Sequence, residues 1–329
     1  MKIAALLPHV EVFGGVRRYL EIGNELSRRG HRFVLFHSAG GKPGWLDFLG
    51  ETAPFSRLEE ESFDVGLCSE YLILPEFDRL KARAKFFYFV LEGHRQEKAV
   101  VKKSYHFLGN SEGLCRRIER RYGVSCLRAA GGINPAIFHP LEKGEGRSPG
   151  EFRILCYGRI HKRRKRIGRV IRAAEMLSRR FPGLRLIFFD SLVGEDRTDP
   201  RALIRSRVPY DFHLDLPQDR MAWLFSQADL FVSAEKRAGW ANTAAEAMAC
   251  RLPVVCTTSG TRDFALHEET ALVVPFASPC LLSRPMERLI RDSGLRDRLA
   301  QAGYEKIQGF TWKALAERLE AVFQEKISA

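Results

Sequence analysis

The chain alternates short apolar runs with longer amphipathic stretches. The first run, KIAALL, is followed by Gly14 and Gly15, and then by a helical pattern of apolar residues from Val16 to Leu26 that Gly30 ends. The apolar run HRFVLF comes next. A strand, a glycine pair, a helix and a second strand in this order are typical of a right-handed parallel crossover unit.

The same alternation continues to the C-terminus, with one interruption. Further strands are predicted at Asp64–Cys68, Lys85–Leu91, Tyr105–Leu108 and Ser125–Ala129, and the helix SEGLCRRIERRY lies between the last two. The segment PLEKGEGRSPG, residues 140–150, is rich in Gly, Pro and charge and is predicted to be a linker. After it come the strands FRILCY, LRLIFFD, DFHLDL, DLFVSA and LPVVCT, with helices near 167–180 and at QDRMAWLFSQA, and a final helix WKALAERLEAVFQEK. The pattern predicts an α/β protein of two Rossmann-like, doubly wound domains that face each other across a cleft.

Length and composition agree with two soluble domains. A chain of 329 residues is too long for one ordinary core, and its 45% hydrophobic and 28% charged residues are typical of globular proteins. No apolar run is long enough to span a bilayer, and MKIAALLPHV lacks the features of a signal peptide, so a cytoplasmic protein is expected. The seven cysteines contain no C-x-x-C spacing, which fits a reduced protein and gives no zinc pattern.

The net charge of +13 is the one unusual bulk property. It is compatible with nucleic acid, with an anionic membrane face or with a phosphorylated substrate. It is equally compatible with solvated helix faces in an arginine-rich chain. Charge alone does not choose among these.

Two glycine-rich or basic loops follow predicted strands, where ligands of such sheets bind. In VFGGVRR the glycines let the backbone approach a ligand at a helix N-terminus, although a plain tight turn explains the pair on its own. In YGRIHKRRKRIG, fixed guanidinium and ammonium groups would suit a diphosphate. A solvated loop or an RNA site are the alternatives, and the lack of interleaved aromatic residues speaks against RNA.

The third loop is EKRAGWANTAAEAMACRLPVV, in which Glu246 stands among apolar residues. Thr243-x-x-Glu246 has the spacing of a capping box. Glu246 could instead accept hydrogen bonds from the hydroxyl pair of a sugar, beside a helix N-terminus that receives phosphates. Local chemistry leaves both interpretations open.

GWANTAAEAMACRLPVV and ETALVVP together resemble the C-terminal half of family-4 retaining glycosyltransferases of the GT-B fold. The basic loop, the GG pair, GINPAIFHP and the final FTW helix fit the same family, so the resemblance spans nearly the whole chain. It implies an N-terminal acceptor domain at 1–145, a nucleotide-sugar donor domain at 150–310 and a C-terminal helix, about 311–329, that returns to the first domain.

The resemblance also implies roles for individual residues. Glu246 would bind the donor ribose, Arg159 and Lys165 the diphosphate, and His94 would meet the transferring sugar. Donor-binding positions would further include Gly14, Gly15, Gly239, Asn242 and Thr243. Two departures stand out. In the first, Ala238 occupies the place of a second glutamate that contacts the donor sugar in the family. Glu235 lies three residues earlier, so its spacing is wrong for a replacement. In the second, Arg251 stands where the family has Gly.

The expected reaction is transfer of a sugar, with retained configuration, to a hydroxyl of a glycan or glycolipid, such as a lipopolysaccharide or another cell-envelope polysaccharide. No Asp-x-Asp clamp is present, so no metal and no cofactor are expected, and Arg159 and Lys165 would stabilise the leaving diphosphate. Nucleic acid is not an expected partner. Basic residues in RRIERR and EKAVVKK could hold the protein at the inner, anionic membrane face, although an unpartnered surface helix fits them as well. A non-catalytic nucleotide-sugar-binding protein and a GT-B epimerase or phosphorylase remain alternatives.

Overall fold

A computed structural model describes residues 1–142, 148–192 and 198–328, and part of the predicted linker, 143–147, lies outside the described residues. The chain forms two compact units. The first comprises residues 1–132 together with 310–329, and the second comprises residues 133–309.

The first unit contains a sheet of seven parallel strands in the order β3-β2-β1-β4-β5-β6-β7. Its elements are β1 (Lys2–Leu6), α1 (Gly14–Arg28), β2 (Arg32–His37), β3 (Glu51–Pro54), β4 (Phe63–Cys68), α2 (Leu74–Arg79), β5 (Ala82–Phe89), α3 (Glu97–Val100), β6 (His106–Gly109), α4 (Glu112–Tyr122) and β7 (Cys126–Arg128). Because β1 pairs with both β2 and β4, the strand order reverses direction at this point. Ligands of such sheets bind beyond the carboxyl ends of these strands.

The second unit contains six parallel strands in the order β10-β9-β8-β11-β12-β13. Its elements are β8 (Phe152–Tyr157), α5 (Ile167–Ser178), β9 (Leu184–Asp190), β10 (Tyr210–Leu214), α6 (Met221–Ser226), β11 (Leu230–Ser233), α7 (Asn242–Ala249), β12 (Val254–Thr257), β13 (Leu272–Val274), α8 (Pro279–Arg291) and α9 (Ser293–Ile307). Here β8 pairs with both β9 and β11, so the reversal of strand order lies beside β8. Both sheets have the doubly wound order of Rossmann-like domains, as predicted.

The last helix, α10 (Trp312–Ser328), belongs to the first unit. Its buried face includes Trp312 and Phe323, and Phe323 packs against Phe86 of β5 with ring centroids 4.8 Å apart. Gly132 has a φ of +131°, and a Cβ at this position would collide with the Trp312 ring. A glycine is therefore required where the chain passes this indole.

The division between the units lies earlier in the chain than the predicted linker at residues 140–150. The second unit already begins at Ile133, and Phe138 packs edge-on against Phe225 of α6 at 6.1 Å. These apolar residues bind the segment before the linker to the second core. The Gly- and Pro-rich composition therefore does not mark the point at which the cores separate.

Local capping rules account for the ends of α4. Ser111 caps α4, since its hydroxyl accepts from the Leu114 N–H at 3.2 Å, and Gly123 ends that helix with a φ of +70°. Elements without a strong pattern were not predicted. The edge strands β3 and β13 have four and three residues, and α2 and α3 have six and four.

Candidate active site

In the second unit, charged side chains gather where β8, β9 and β11 end. Arg159 follows β8, Asp190 is the last residue of β9, and Glu235 follows β11 by two residues. Lys165 ends a short 3₁₀ turn, Arg163–Lys165, just before α5. This cluster lies at the reversal of strand order, where the fold predicts a ligand site.

Arg159 is held by the end of the neighbouring strand. Its Nε donates to Asp190 Oδ1 at 2.9 Å, and its Nη2 lies 2.8 Å from the same oxygen and 2.7 Å from the carbonyl oxygen of Ser191. The Asp190 side chain is 1% exposed and that of Arg159 is 13% exposed. A guanidinium fixed in this way is oriented before a ligand arrives.

Lys165 forms an ion pair with Glu235, and both side chains are mostly buried. Its Nζ also lies 4.8 Å from the centroid of the Tyr157 ring, while Arg159 Cζ lies 5.4 Å from the same centroid. Both cations therefore make cation–π contacts with the Tyr157 ring. Burial raises the pKa of the Tyr157 phenol, and the nearby carboxylate of Asp190 raises it further.

The loop that carries Glu235 is fixed through backbone contacts. The Thr257 hydroxyl at the end of β12 donates to the Glu235 carbonyl oxygen at 2.7 Å, and the Lys236 N–H donates to the Arg164 carbonyl oxygen at 2.9 Å. Arg166 and Arg237 have φ values of 54° and 64°. Non-glycine residues in this region are strained, and such strain concentrates at functional sites.

Ala238 is buried at the position where the family has a second glutamate. Its N–H donates to the Ser259 hydroxyl at 2.9 Å. A Cβ added to Gly260 would lie 2.9 Å from the Cβ of Ala238, which is too close. Gly260 has a φ of +71° and accepts from the Ala241 N–H. The loop from 235 to 241 is thus packed against the turn after β12.

Glu246 lies on α7, but the capping-box interpretation is wrong. The helix begins at Asn242 with Ala241 as its N-cap, and no side chain caps it. Thr243 is therefore already inside the first turn and does not cap the helix. Glu246, one turn further on, is 9% exposed, and its carboxylate adds to the effect of burial in raising the pKa of the Cys250 thiol.

In the first unit, Gly14 and Gly15 are the first two residues of α1 and do not form a loop before it. Phe13 is the N-cap and makes no side-chain capping bond. The predicted role of the pair in approaching a ligand rests on the free N–H groups of this first turn. His94 lies in the loop after β5, exposed, and stacks on Tyr71 with ring centroids 3.8 Å apart.

The second unit thus brings Arg159 and Lys165 together on Tyr157, and it contains Gly239, Asn242, Thr243 and Glu246 at and before α7. Gly14, Gly15 and His94 belong to the first unit. Sequence reasoning missed Tyr157 and Asp190, although each is the last residue of a predicted strand, which is the position that indicates a site in this fold.

Some of the basic residues that were predicted as a membrane face pair with carboxylates of the same unit. Arg117 forms an ion pair with the buried Glu97, Lys103 pairs with Asp78 at 2.7 Å, and Arg116 pairs with Glu112 at 2.6 Å. The other exposed members of the predicted set are Lys98, Lys102, Arg120 and Arg121. In the described part of the chain no helix is long and apolar enough to cross a bilayer.

The chain is similar in sequence to curated glycosyltransferases. A D-inositol 3-phosphate glycosyltransferase of Pseudarthrobacter chlorophenolicus is 28% identical over 235 residues, which is 67% of this chain and 56% of that protein. The capsular polysaccharide biosynthesis glycosyltransferase CapM of Staphylococcus aureus is 24% identical over 260 residues, 74% of this chain and 67% of that one. The match thus spans little more than half the length of the first relative.

A solved structure shows the same fold over the whole chain. Anabaena HepE in complex with UDP and glucose has a TM-score of 0.76 and 15% sequence identity, and the match covers 98% of this chain and 99% of that one. The two parallel-sheet units are those of the GT-B fold. The family model described as "Glycosyl transferases group 1" matches residues 140–306, just over half of the chain and nearly all of the second unit. The chain belongs to the group 1 glycosyl transferases.

Proposed function

We propose that this protein is a retaining glycosyltransferase that moves a sugar from a nucleoside-diphosphate sugar to a hydroxyl of a glycan or glycolipid. One observation carries the proposal: two oriented cations, Arg159 and Lys165, share the Tyr157 ring at the reversal of strand order. A diphosphate is the ligand chemistry that such a pair fits, because arginine grips two oxygens and lysine adds a point charge.

The relatives narrow the substrates to be tested. HepE was solved with UDP and glucose, so a uridine nucleotide is the first donor to examine. The names of the two curated relatives point to a phosphorylated polyol in one case and to a capsular polysaccharide in the other. An acceptor with several hydroxyls is common to both.

The chain's own residues supply a route for the reaction. Arg159, held by Asp190, and Lys165, held by Glu235, would stabilise the charge that develops on the leaving diphosphate. Glu246 would accept hydrogen bonds from the ribose hydroxyls of the donor. The acceptor hydroxyl would attack the face that the diphosphate leaves, and a phosphate oxygen would take its proton, so that neither a metal nor a cofactor is required.

Nucleotide binding tests the proposal directly. Thermal unfolding is measured with UDP, GDP, ADP, CMP and dTDP, each with EDTA present, for the wild type, Glu246→Gln and Lys165→Ala. A nucleotide at a hundred times its dissociation constant adds about 2.7 kcal/mol of stability to the protein that binds it. We expect one nucleotide to stabilise the wild type and to act much more weakly on both variants.

Glu305→Gln is the matched control, because Glu305 is an exposed glutamate on α9 of the same unit. The nucleotide should stabilise this variant nearly as much as it stabilises the wild type. No stabilisation of the wild type by any nucleotide would overturn the proposal.

The stereochemical outcome has its own test. With the nucleotide sugar that stabilises the protein, the anomeric proton of the product is followed by NMR. Retention predicts the same anomer as in the donor. An inverted product would contradict the retaining mechanism but not the transferase activity.

A non-catalytic nucleotide-sugar-binding role is the second candidate, because Ala238 removes a carboxylate at the donor position. Transfer or slow hydrolysis of the donor separates the two, since a binder leaves the donor intact. The epimerase or phosphorylase alternative predicts an isomerised sugar nucleotide or consumption of inorganic phosphate in the same assay.

We also propose a place of action at the cytoplasmic face of an anionic membrane. Lys98, Lys102, Arg120 and Arg121 are the exposed cations of the first unit that would contact such a surface, and each contributes about 1 kcal/mol when near it. Co-sedimentation with vesicles that contain phosphatidylglycerol, compared with pure phosphatidylcholine, should show preferential binding that the fourfold Gln variant loses. Equal binding to both would exclude this role.

A further inference from the structure

Each cation of the candidate site in the second unit is paired with a carboxylate that is almost buried. Arg159 is paired with Asp190 and Lys165 with Glu235, and the side chains of the two acids are 1% and 10% exposed. These four groups carry two positive and two negative charges. A diphosphate that binds to them therefore meets a cluster without net charge, although the chain as a whole is strongly basic.

The two carboxylates differ in what they do for their partners. Asp190 orients Arg159, because its Oδ1 accepts from Nε at 2.9 Å and lies 2.8 Å from Nη2, which fixes the plane of the guanidinium group. Glu235 contacts Lys165 through a single oxygen, Oε1. An ammonium group is a point charge with rotating donors, so it has no plane that a carboxylate could fix.

Lys165 has other contacts that hold it in place. It ends the 3₁₀ turn Arg163–Lys165, and its Nζ lies 4.8 Å from the centroid of the Tyr157 ring. Within residues 1–142, 148–192 and 198–328, the Glu235 carboxylate is the one hydrogen-bond acceptor for the three N–H groups of Nζ. Two of these donors remain for a ligand, and an anion bound there would lie beside the carboxylate of Glu235.

Backbone hydrogen bonds keep Glu235 at this position. Its carbonyl oxygen accepts from the Thr257 hydroxyl at 2.7 Å, and the next N–H, that of Lys236, donates to the Arg164 carbonyl oxygen at 2.9 Å. The Cα of Glu235 cannot move away from the basic loop unless these bonds break. Its carboxylate therefore stays within the length of one side chain of Lys165 when a ligand binds.

From this geometry we propose that Glu235 is a specificity-determining residue, an internal anion that competes with the terminal phosphate of a nucleoside diphosphate for Lys165 and so favours release of the diphosphate product. The proposal rests on the proposed function for the identity of the ligand. A terminal phosphate has a second pKa of about 6 and carries nearly two charges at neutral pH, whereas the same phosphate carries one charge while it is esterified to the sugar of the donor. Glu235 therefore repels the product more strongly than the donor.

Replacing Glu235 by its uncharged isostere should tighten the binding of diphosphates. Isothermal titration calorimetry gives the dissociation constants of inorganic pyrophosphate, UDP and UDP-glucose, each with EDTA present, for the wild type and Glu235→Gln. We expect pyrophosphate and UDP to bind about tenfold more tightly to the variant, because one repelling charge a few ångströms away is removed, and UDP-glucose to gain less. Unchanged or weaker binding of UDP would overturn the proposal, as would an equal gain for UDP and UDP-glucose.

Glu305→Gln is the matched control for net charge. It removes the same charge from an exposed position of α9 in the same unit. All three dissociation constants should stay within about twofold of those of the wild type, because a distant exposed charge is screened by salt. A gain as large as that of Glu235→Gln would assign the effect to the net charge of the chain and would overturn the proposal.

A second pair of variants decides the question if Glu235→Gln does not fold, since that variant leaves Lys165 buried without its partner. Lys165→Met removes the cation and leaves Glu235 beside the ligand, whereas Lys165→Met combined with Glu235→Gln removes both charges. The double variant should bind pyrophosphate about tenfold more tightly than Lys165→Met. A double variant that binds pyrophosphate no better than Lys165→Met would refute the competition.

Binding to the wild type separates this inference from the proposed function. If the wild type binds UDP and Glu235→Gln binds it no more tightly, the role of Glu235 is refuted and the proposed function stands. If neither protein binds pyrophosphate or a nucleotide, both the role of Glu235 and the diphosphate site of the proposed function are refuted.

Discussion

Lys165 forms its ion pair with Glu235, three residues before Ala238, in a part of the second unit where the family places a glutamate at position 238. The left-handed conformation of Arg237 turns the chain between these two positions, and the bond from Lys236 N–H to the Arg164 carbonyl oxygen joins their loop to the basic loop. The spacing of Glu235 is thus wrong for the motif, but its carboxylate lies beside the expected diphosphate lysine.

The Lys165–Glu235 pair should show strong energetic coupling. Lys165→Ala or Glu235→Ala leaves a mostly buried charge without its partner, and each should lower the free energy of unfolding by about 2–3 kcal/mol. The double variant should cost less than the sum of the two by at least about 1 kcal/mol. Urea denaturation of the four proteins measures this. Arg163→Ala, an exposed neighbour in the same turn, is the control, and simple additivity of the two single variants would contradict the pairing.

Arg251 should be replaceable by glycine with a gain in stability. It follows α7 with a φ of 56°, and the bonds from Arg251 N–H to the Met248 carbonyl oxygen and from Leu252 N–H to that of Ala247 form a Schellman motif. Because glycine adopts this conformation without strain, Arg251→Gly should raise the free energy of unfolding by about 0.5–1 kcal/mol. Arg251→Ala keeps the Cβ and should bring no such gain. Equal effects of the two changes would assign the result to the lost charge instead.

Thr243 and Ser278 should differ sharply when each is changed to alanine. Ser278 caps α8, since its hydroxyl accepts from the Leu281 N–H at 3.1 Å, and its loss should cost about 1 kcal/mol. Thr243 caps no helix, so Thr243→Ala should cost clearly less. Thermal or urea unfolding gives both values. If Thr243→Ala lowered the free energy of unfolding as much as Ser278→Ala, Thr243 would be a helix cap after all.

The attachment of α10 should weaken in acid. Glu320 on this helix accepts hydrogen bonds from Arg29 and His31, and the bond from Arg29 is the main cause that lowers the pKa of its carboxyl below 4.5. A lowered pKa means that the carboxylate stabilises the folded state above the pKa of the unfolded chain, and that this contribution is lost as pH falls through the folded value.

The corresponding variant is Glu320→Gln. It should lower the free energy of unfolding at pH 7 by no more than about 1 kcal/mol, because the pair is partly exposed. The difference from the wild type should begin to shrink as the pH falls below about 4.3, the ordinary value for Glu, and should vanish once the pH is below the lowered folded pKa. Urea denaturation across this pH range measures it. Glu325→Gln, on an exposed position of the same helix, should have little effect at any pH. A difference that persists unchanged in acid would rule out the ion pair as its source.

Much of the fold follows from local patterns in the sequence. The apolar runs of KIAALL, HRFVLF and FRILCY predict buried parallel strands, and the alternation with amphipathic helices requires crossover connections, which leads to two Rossmann-like sheets. Ser111 and Gly123 mark the ends of α4 in the sequence and in the structure. The short edge strands β3 and β13 were not predicted, because three or four residues are too few to show a period.

The candidate site could be predicted only in part, for a related reason. The basic loop was singled out because it follows a strand, and Glu246 because it interrupts an apolar helix, whereas the roles of Arg159 and Lys165 come from the family resemblance. Local sequence fixed which segments are strands and helices, since backbone propensity and the spacing of apolar residues act over a few neighbours. Only the tertiary structure decided that Asp190 holds Arg159, that Glu235 pairs with Lys165, and that Glu97 and Tyr71 contact the loop and ring of His94. Such contacts join residues far apart in the chain through loops whose conformation depends on packing against other strands.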